Sequence, residues 1–386
     1  MNMVKLQEVA PAKPARLSFA PSDVVWQLNL DQIESHSGRI LSKVMEPVAA
    51  AGSSTHYFDE GNVLYSKLRP YLNKVVCPDS RGIATTELVP LRPDPNRLDR
   101  LYLTNYLRSP QFVNWVSNEV AGAKMPRVAM KVFWNHEIPL PPLAEQKRIA
   151  AILDAADGLR AKRRESLAQL DTLLQSTFLD MFGDPVTNPK GWTVTTIGTH
   201  VRIIGGFAFK SSDFADEGLP VIRISNLSGD SINLEGCVHI PKSVLGKGEK
   251  FRLQPGDTLI AMSGATTGKL GFVPDDLVEE WYLNQRVGAF RVPENSILNR
   301  IYLRALLRSS FYQNHVWNLA GGAAQPNISG KQLESAEIPL PPLDLQHRFA
   351  ALVESTEQQK ARLRVHLAEL DILFASLQQR AFNGEL

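Results

Sequence analysis

The sequence predicts an α/β (α+β) fold in which two copies of one mixed domain are separated by a long antiparallel two-helix coiled coil. The segment EIPLPPL occurs at residues 137–143 and again at 337–343. Each copy opens a long stretch with apolar residues at helical spacing. A repeat of this length indicates duplicated domains and not a solenoid. The predicted boundaries are 1–142 for domain one, 143–183 for the first long helix, 184–342 for domain two and 343–386 for the second long helix.

Composition and charge are those of an ordinary globular protein. The 386 residues are 44% hydrophobic and 21% charged, and 42 basic against 40 acidic residues give a net charge of +2. Any contact with nucleic acid must therefore depend on local basic clusters. No apolar run has the length of a membrane span, and the N-terminus lacks a signal-peptide core. Cys77 and Cys237 stand far apart without a CxxC pattern, so we expect reduced thiols in a cytoplasmic protein without membrane contact.

Domain one begins at residues 1–20 with an Ala-, Pro- and Lys-rich segment that we expect to be a loose leader. The stretches at 24–35 and 61–78 are typical of strands and turns. Residues 83–95 predict one strand closed by prolines. Residues 97–120 have helical periodicity and predict a helix.

Domain two repeats this order of elements. Its opening segment, GWTVTTIGTHVRIIGG at residues 191–206, is expected to repeat the segment that contains Trp26, with Trp192 in the place of Trp26. This alignment gives domain two about thirty extra residues near its start. The later stretches at 256–274 and 282–293 then match 61–78 and 83–95.

Each EIPLPPL segment, which we call a prolyl block, opens a long helix, and Gly183 should end the first helix in a left-handed turn. Apolar residues three and four positions apart predict two heptad seams, each with a basic break, at Arg160 and at Lys360. The basic runs there are expected to be a solvated face, or to contact the phosphates of an intervening spacer or a partner. They comprise Arg160, Lys162, Arg163 and Arg164, and Lys360, Arg362 and Arg364. Equal length and shared register favour pairing of the two seams, which connectivity makes antiparallel; the alternative is that each seam packs on its own domain. The seam residues are Ile149, Leu153, Leu167, Leu170, Leu174, Phe349, Val353, Leu363, Leu367, Leu370 and Phe374.

No common catalytic motif is present in the sequence. The segment SGATTGKL at 263–270 resembles a phosphate-binding loop, but Ser263 stands where the first glycine belongs and Leu270 where the hydroxyl belongs. A dinucleotide fingerprint, a zinc-binding cluster and a nucleophile elbow are also missing. We therefore predict no catalytic residue and no metal ligand.

Polar loops in matching places of the two domains are candidates for DNA binding. Arg, Lys, Asn and Gln can read base edges, while Ser, Thr and Lys can hold phosphates. The alternative for each residue is an ordinary solvated loop. The candidates in domain one are Lys67, Arg69, Tyr71, Lys74, Lys124 and Arg127. Those in domain two are Lys210, Ser211, Arg223, Asn226, Ser263, Thr266, Thr267, Lys269, Gln325, Asn327 and Lys331.

With these features the chain resembles the specificity subunit of type I restriction-modification systems over nearly its whole length. The family block IPLPPL-x-EQ-x-x-I matches residues 138–149, and it matches 338–349 with Asp344, Leu345 and His347 as replacements. GDTLIAMSGATTGK and YLNQRV also resemble segments of the family's target-recognition domains. Domain one departs from the pattern where KLRPYLNK lacks the glycine turn of SGATTGKL.

The resemblance implies two α/β target-recognition domains that each read one half of a split site in double-stranded DNA, with a spacer set by the coiled coil. It implies two methyltransferase subunits as partners, and two restriction subunits that can join them. S-adenosylmethionine, ATP and Mg²⁺ would be bound by those partners, so the chain itself would hold no cofactor and catalyse nothing. The alternatives are a stand-alone DNA-modifying or DNA-cleaving enzyme and a plain sequence-specific repressor.

Overall fold

The computed structural model describes residues 2–122, 125–229, 231–321 and 326–386. The chain divides into two compact units. The first unit comprises residues 1–166 and 363–386, and the second comprises residues 167–362. Over the described stretches, no helix is both long and apolar enough to cross a bilayer.

The first unit contains two small sheets and two ribbons. Its strands are β1 (Met3–Lys5), β2 (Val24–Leu28), β3 (Val44–Pro47), β4 (Thr55–Phe58), β5 (Val63–Ser66), β6 (Val75–Val76), β7 (Gly82–Thr85), β8 (Leu88–Leu91), β9 (Val120–Ala121), β10 (Arg127–Val128) and β11 (Glu137–Pro139). The sheets have the orders β3-β2-β7-β4 and β6-β5-β8, while β1 pairs with β11 and β9 with β10. Strands β2 and β7 are parallel, and the other pairs are antiparallel.

The helices of this part of the chain are α1 (Leu6–Val9), α2 (Arg100–Leu107), α3 (Pro110–Asn118), α4 (Met130–Asn135) and the long helix α5 (Leu143–Phe182). The single helix predicted at 97–120 is wrong, because Ser109 and Pro110 end α2 and start α3, with the Ser109 hydroxyl accepting from Phe112 N. The single strand predicted at 83–95 is also wrong. A turn at Thr86 and Glu87 separates β7 from β8, which belong to different sheets.

The second unit has the same kinds of elements. Its strands are β12 (Thr193–Thr196), β13 (Arg202–Gly205), β14 (Leu219–Ile222), β15 (Val238–Ile240), β16 (Thr258–Ala261), β17 (Leu270–Phe272), β18 (Tyr282–Leu283), β19 (Val287–Arg291) and β20 (Glu337–Leu340). Its helices are α6 (Ile197–His200), α7 (Arg300–Arg308), α8 (Ser310–Leu319), α9 (Gly330–Glu334) and the start of the long helix α10 (Leu343–Asn383). The sheet orders are β13-β19-β16-β17 and β15-β14-β18, and β12 pairs with β20.

The N-terminal segment is part of the fold, so its prediction as a loose leader is wrong. Strand β1 pairs with β11, and Leu6, Val9 and Ala10 are fully buried in the core. The same ribbon recurs in the second unit, where Thr195 lies opposite Ile338 as Val4 lies opposite Ile138. A three-residue strand is too short to show alternation, which explains why the sequence did not reveal it.

This ribbon also corrects the predicted alignment of the repeats. Residues 193–201 repeat residues 2–10, whereas Trp26 lies in β2, whose counterpart by pairing is β14. Trp192 is therefore not the counterpart of Trp26. The chain takes 134 residues from Val4 to Ile138 and 143 from Thr195 to Ile338. The second repeat is thus nine residues longer, and not about thirty.

The two long helices contribute to both units. Helix α5 has 40 residues and α10 has 41, which corresponds to about 60 Å each at 1.5 Å per residue. Gly183 follows α5 with a φ of 80°, as expected of a left-handed helix stop. All eleven predicted seam residues are buried or half-buried, whereas Leu159 and Leu173 beside them are exposed.

Each core includes residues of both long helices. In the first unit Tyr102 and Tyr106 pack edge-on against Phe382 near the end of α10. In the second unit Phe178 and Phe182 of α5 pack against Tyr302 of α7. Each domain is therefore joined to the long helices by buried aromatic contacts.

Candidate nucleic-acid interface

Three chain segments meet at a turn in the first unit, and the meeting point holds most of the candidates of domain one. The segments are residues 67–74, 85–87 and 126–128. Lys67 N donates to Glu87 O at 3.0 Å, Arg69 N to Pro126 O at 2.8 Å, and Val128 N to Lys67 O at 3.1 Å. We call this arrangement the loop junction.

The second unit has a loop junction with the same backbone hydrogen bonds, formed by residues 262–269, 284–286 and 326–328. Met262 N donates to Arg286 O at 2.9 Å, Gly264 N to Pro326 O at 3.1 Å, and Ile328 N to Met262 O at 2.8 Å. These bonds match Lys67 with Met262, Arg69 with Gly264, Glu87 with Arg286, and Arg127 with Asn327. The two junctions therefore share one backbone frame.

The turn within each junction uses left-handed residues at the same two places. In the second unit these are Gly264 and Gly268, with φ of 82° and 89°. In the first unit they are Arg69 and Asn73, both with φ of 49°. KLRPYLNK lacks the glycines but keeps the turn. A left-handed arginine is strained, at a cost of about 1 kcal/mol or more, and the Arg69 side chain is exposed.

The predicted residues of the first junction differ in how available their side chains are. Arg69 and Tyr71 are exposed, and Lys67 is half-buried. Lys74 points inward, because its Nζ donates to Leu30 O at 2.6 Å. Lys124 lies outside the described residues.

Arg127 is held by an ion pair with Glu87. Its Nη2 lies 2.7 Å from Glu87 Oε1, and its Nε lies 3.2 Å from Oε2. Hydrogen bonds from Arg127 lower the pKa of the Glu87 carboxyl, and the positive charge of Lys67 acts in the same direction. Glu87 therefore stays ionised at neutral pH. The sequence reasoning did not single out Glu87.

The second junction presents neutral polar groups beside cations. Thr267 Oγ1 donates to Gly264 O at 2.7 Å and so stabilises the turn. The buried Oγ of Ser263 has no hydrogen-bond partner within the described part of the chain. Arg286 is exposed in the place of Glu87. The predicted residues with exposed side chains here are Thr266, Lys269, Asn327 and, on α9, Lys331.

The other candidates of domain two lie on neighbouring loops. Lys210 and Ser211 are exposed after β13. Arg223 Nη2 donates to Gly236 O at 3.3 Å. Asn226 is buried, and its amide bonds Arg223 N and Asn233 O, which closes the loop after β14. Gln325 lies outside the described residues.

The basic break of each long helix is filled by acidic partners, which corrects the expectation of a solvated face or a phosphate contact at these two positions. Arg160 Nε lies 2.6 Å from Asp371 Oδ1, and its guanidinium also stacks on Phe374 at 4.3 Å. Lys360 Nζ lies 2.6 Å from both Asp171 and Glu357 and is almost fully buried. Both cations belong to the seam and are neutralised there.

A buried glutamine joins each domain to its long helix, and the sequence reasoning did not single it out. Gln146 Nε2 donates to Arg97 O and Pro141 O, and its Oε1 accepts from Asp99 N. In the second unit Gln346 bonds the three corresponding groups of Ile297, Pro341 and Asn299. We call this arrangement the helix joint. Its signal in the sequence was the glutamine at the same place of both prolyl blocks.

The helix joint also includes one tyrosine in each unit. Tyr102 Oη donates to Pro139 O at 3.0 Å, and Tyr302 Oη donates to Pro339 O at 2.8 Å. Burial raises the pKa of both phenols, so each remains a donor. The prolyl block is thus fixed to the domain by side chains that are the same in both units.

Among the described residues, no three His, Cys, Asp or Glu side chains are placed to hold a metal ion. Cys77 and Cys237 are free thiols, and burial raises the pKa of each. The chemistry that the candidate interface offers is hydrogen bonding and charge, from loops that carry arginine, lysine, asparagine and threonine.

Comparison with known proteins identifies the family. The family model of the type I restriction modification DNA specificity domain matches residues 51–170 and 189–364, more than half of the chain. The specificity subunit of the type I restriction enzyme MjaVIII from Methanocaldococcus jannaschii is 29% identical over 292 residues, covering 72% of this chain and 68% of that protein. The EcoAI specificity subunit from Escherichia coli is 23% identical over 408 residues, covering 80% and 69%.

Solved structures share the fold. A chain from a study of complex assembly and conformational transition of the type I R-M system has a TM-score of 0.59 at 24% identity, covering 100% of this chain and 98% of the other. The type I restriction-modification S subunit from M. genitalium has a TM-score of 0.59 at 15% identity, covering 99% and 96%. With its two matches to one family model, this chain belongs to the type I restriction modification DNA specificity family.

Proposed function

We propose that this chain is the non-catalytic DNA sequence-recognition subunit of a type I restriction-modification complex. Each unit reads one half of a bipartite site. The observation that carries the proposal is the loop junction, which has the same backbone hydrogen bonds in both units but different polar side chains. A repeated frame with two sets of base-reading groups is what recognition of two different half-sites requires.

We further infer that α5 and α10 form an antiparallel coiled coil whose length sets the spacer between the half-sites. The order of contacts supports this arrangement. In the first unit Arg148 bonds Leu386 O and Arg160 bonds Asp371. In the second unit Asp171 bonds Lys360, and Phe182 packs on Phe349. In both units the residue numbers rise along α5 as they fall along α10.

The coiled coil docks two methyltransferase subunits in this proposal. Leu173 and Leu373 occupy the same place in the two repeats and are both about half exposed, at 52% and 49%. Two equivalent apolar positions suit two copies of one partner. The methyltransferase subunits carry S-adenosylmethionine, and restriction subunits that join the complex use ATP and Mg²⁺. This chain holds no cofactor of its own.

The proposal is tested by comparing the methylomes of cells with and without the gene. Loss of one bipartite methylated motif is expected when the gene is deleted, and an unchanged methylome would contradict the proposal. Pulldown of the tagged chain should recover a methyltransferase subunit.

Activity assays on the purified chain distinguish this function from the alternatives. Incubated with DNA and S-adenosylmethionine or Mg²⁺, it should neither methylate nor cleave until the methyltransferase subunit is added. Activity of the chain alone would indicate a stand-alone enzyme. Tight specific binding without any co-purifying methyltransferase would indicate a repressor.

A further inference from the structure

The ion pair between Arg127 and Glu87 leaves one edge of the guanidinium pointing away from the carboxylate. Glu87 accepts from Nε and from Nη2, with Nη2 to Oε1 at 2.7 Å and Nε to Oε2 at 3.2 Å. Guanidinium is planar and carries five N–H donors in a fixed fork. The adjacent edge, formed by Nη1 and the second hydrogen of Nη2, is therefore held in one direction by the pair with the carboxylate, and the Arg127 side chain is 41% exposed.

Both partners of this pair are fixed by the same turn. Glu87 O accepts from Lys67 N, and Arg127 forms a strand bridge with Leu68, the residue after Lys67. Fixing an arginine before binding lowers the conformational entropy that it loses in a complex. An unpaired carboxylate on a DNA-binding loop would repel phosphates, and the guanidinium of Arg127 neutralises that of Glu87 while being held by it.

We infer that Glu87 is a positioning residue that presents Arg127 for bidentate contact with a guanine in the half-site read by the first unit. Guanine offers two acceptors, O6 and N7, to the major groove, and the free edge of Arg127 offers two parallel donors. This inference rests on the proposed function. It adds that the base is guanine and that Glu87 and Arg127 together recognise it.

The second junction supports the assignment by contrast. Arg286 stands in the place of Glu87 and Asn327 in the place of Arg127, on the same backbone frame. Asparagine is suited to adenine through its amide oxygen and nitrogen, and it does not match guanine in the same way. The same position of the frame therefore reads a different base in the other half-site.

The experiment uses the full chain with its methyltransferase partner, after the site has been mapped from the methylome. Binding is measured to duplexes in which each base pair of the site is replaced in turn. Glu87→Gln and Arg127→Lys should both lose preference at the same G·C pair of one half-site, by roughly ten- to a hundredfold. Preference at all other positions should be kept.

The matched control is Glu145→Gln, which breaks another bidentate pair of the first unit, with Arg148 Nε and Nη2 at 2.9 and 2.6 Å from the carboxylate. It should leave base preference unchanged. Preference retained at that G·C pair in either test variant would overturn the inference, as would uniform weakening over both half-sites. Thermal melting checks folding, and if Glu87→Gln unfolds, Glu87→Asp, which keeps the charge but shortens the side chain, replaces it with the same expected loss. A wild-type complex without any bipartite site would instead refute the proposed function.

Discussion

The helix joint and the loop junction are both repeated, but in different ways. In the helix joint the side chains themselves recur, with Gln146 and Gln346 bonding the same three kinds of backbone group. In the loop junction only the backbone bonds recur, and the side chains differ in charge. Arg127 with Glu87 in the first unit corresponds to Asn327 with Arg286 in the second.

Burial explains this difference. The side chains of Gln146 and Gln346 are fully buried and each bonds three backbone groups, so a replacement loses those bonds and leaves buried polar atoms unpaired. The side chains of the junction lie at the surface, where most replacements cost less than 0.5 kcal/mol, by the general rule for exposed sites. We therefore expect the helix joint to tolerate few replacements, whereas the backbone of the loop junction, the proposed reading surface, accepts many different side chains.

The largest effect is expected in the helix joint. Gln146→Ala and Gln346→Ala each remove three hydrogen bonds to the backbone, one of them fully buried, which should lower the free energy of unfolding by about 3 kcal/mol. Urea denaturation measures both losses, and the two should be similar because the contacts are the same. The control is Gln175→Ala on the exposed face of α5. A loss no larger than that of the control would show that the joint does not hold the domain.

The long helices were the part of the fold that sequence predicted best. Forty residues at one periodicity give many independent indications of the same helix, and Pro142 and Gly183 mark its ends. The ribbon of β1 and β11 was missed because its strands have three residues each and their pairing joins Val4 to Ile138 across the whole domain. Such a pairing leaves no local pattern.

The sequence predicted which residue types the candidate site contains, but not which contacts their side chains make. Arg127 was predicted, yet Glu87 lies forty residues earlier, and only the fold brings the two together. Lys74 and Asn226 have the residue types of DNA contacts, but their side chains bond the protein backbone. The left-handed turn at Arg69 was not predictable, because glycine is its usual signal.

Moving the ion pair of the first loop junction onto the second tests whether the two backbone frames can present the same side chains. Arg286→Glu combined with Asn327→Arg places the ion pair of the first unit on the second. The half-site read by the second unit should then gain a preference for guanine at one position, by roughly tenfold or more. Binding to substituted duplexes measures the change, with Asn327→Arg alone as the control that lacks the positioning carboxylate. An unchanged preference in the double variant would mean that the two frames are not equivalent in use.

The seam cations should show a smaller effect. Lys360→Met removes a buried ammonium with two acidic partners, and Arg160→Met removes a guanidinium that also stacks on Phe374. The aspartates left behind are half exposed, so each change should cost only about 1 kcal/mol. Urea denaturation measures it, with Lys162→Met on the exposed face of α5 as the control. A loss of several kcal/mol would mean that the cations, and not the apolar residues, hold the seam.

The smallest effect concerns a histidine that only the first unit has. His136 lies directly before β11, and its carbonyl accepts from Leu6 N; Ala336 has this place in the second unit, with Ile197 N as donor. Burial lowers the pKa of His136 to about 4; its ring packs against Trp115 with centroids 3.8 Å apart and a 30° tilt, and its Nε2 lies 2.8 Å from Tyr106 Oη.

The unfolded chain takes up a proton near pH 6.5 and the folded chain does not, so stability is lost as the pH falls below about 6.5 towards 4. Partial exposure screens the effect, which leaves on the order of 1 kcal/mol at pH 5. Urea denaturation of the wild type and of His136→Ala at pH 7.5 and 5 measures it, with exposed His366→Ala as the control. If His136→Ala lost as much stability on acidification as the wild type, the pH response would belong to other groups, such as His56, whose pKa is also lowered by burial.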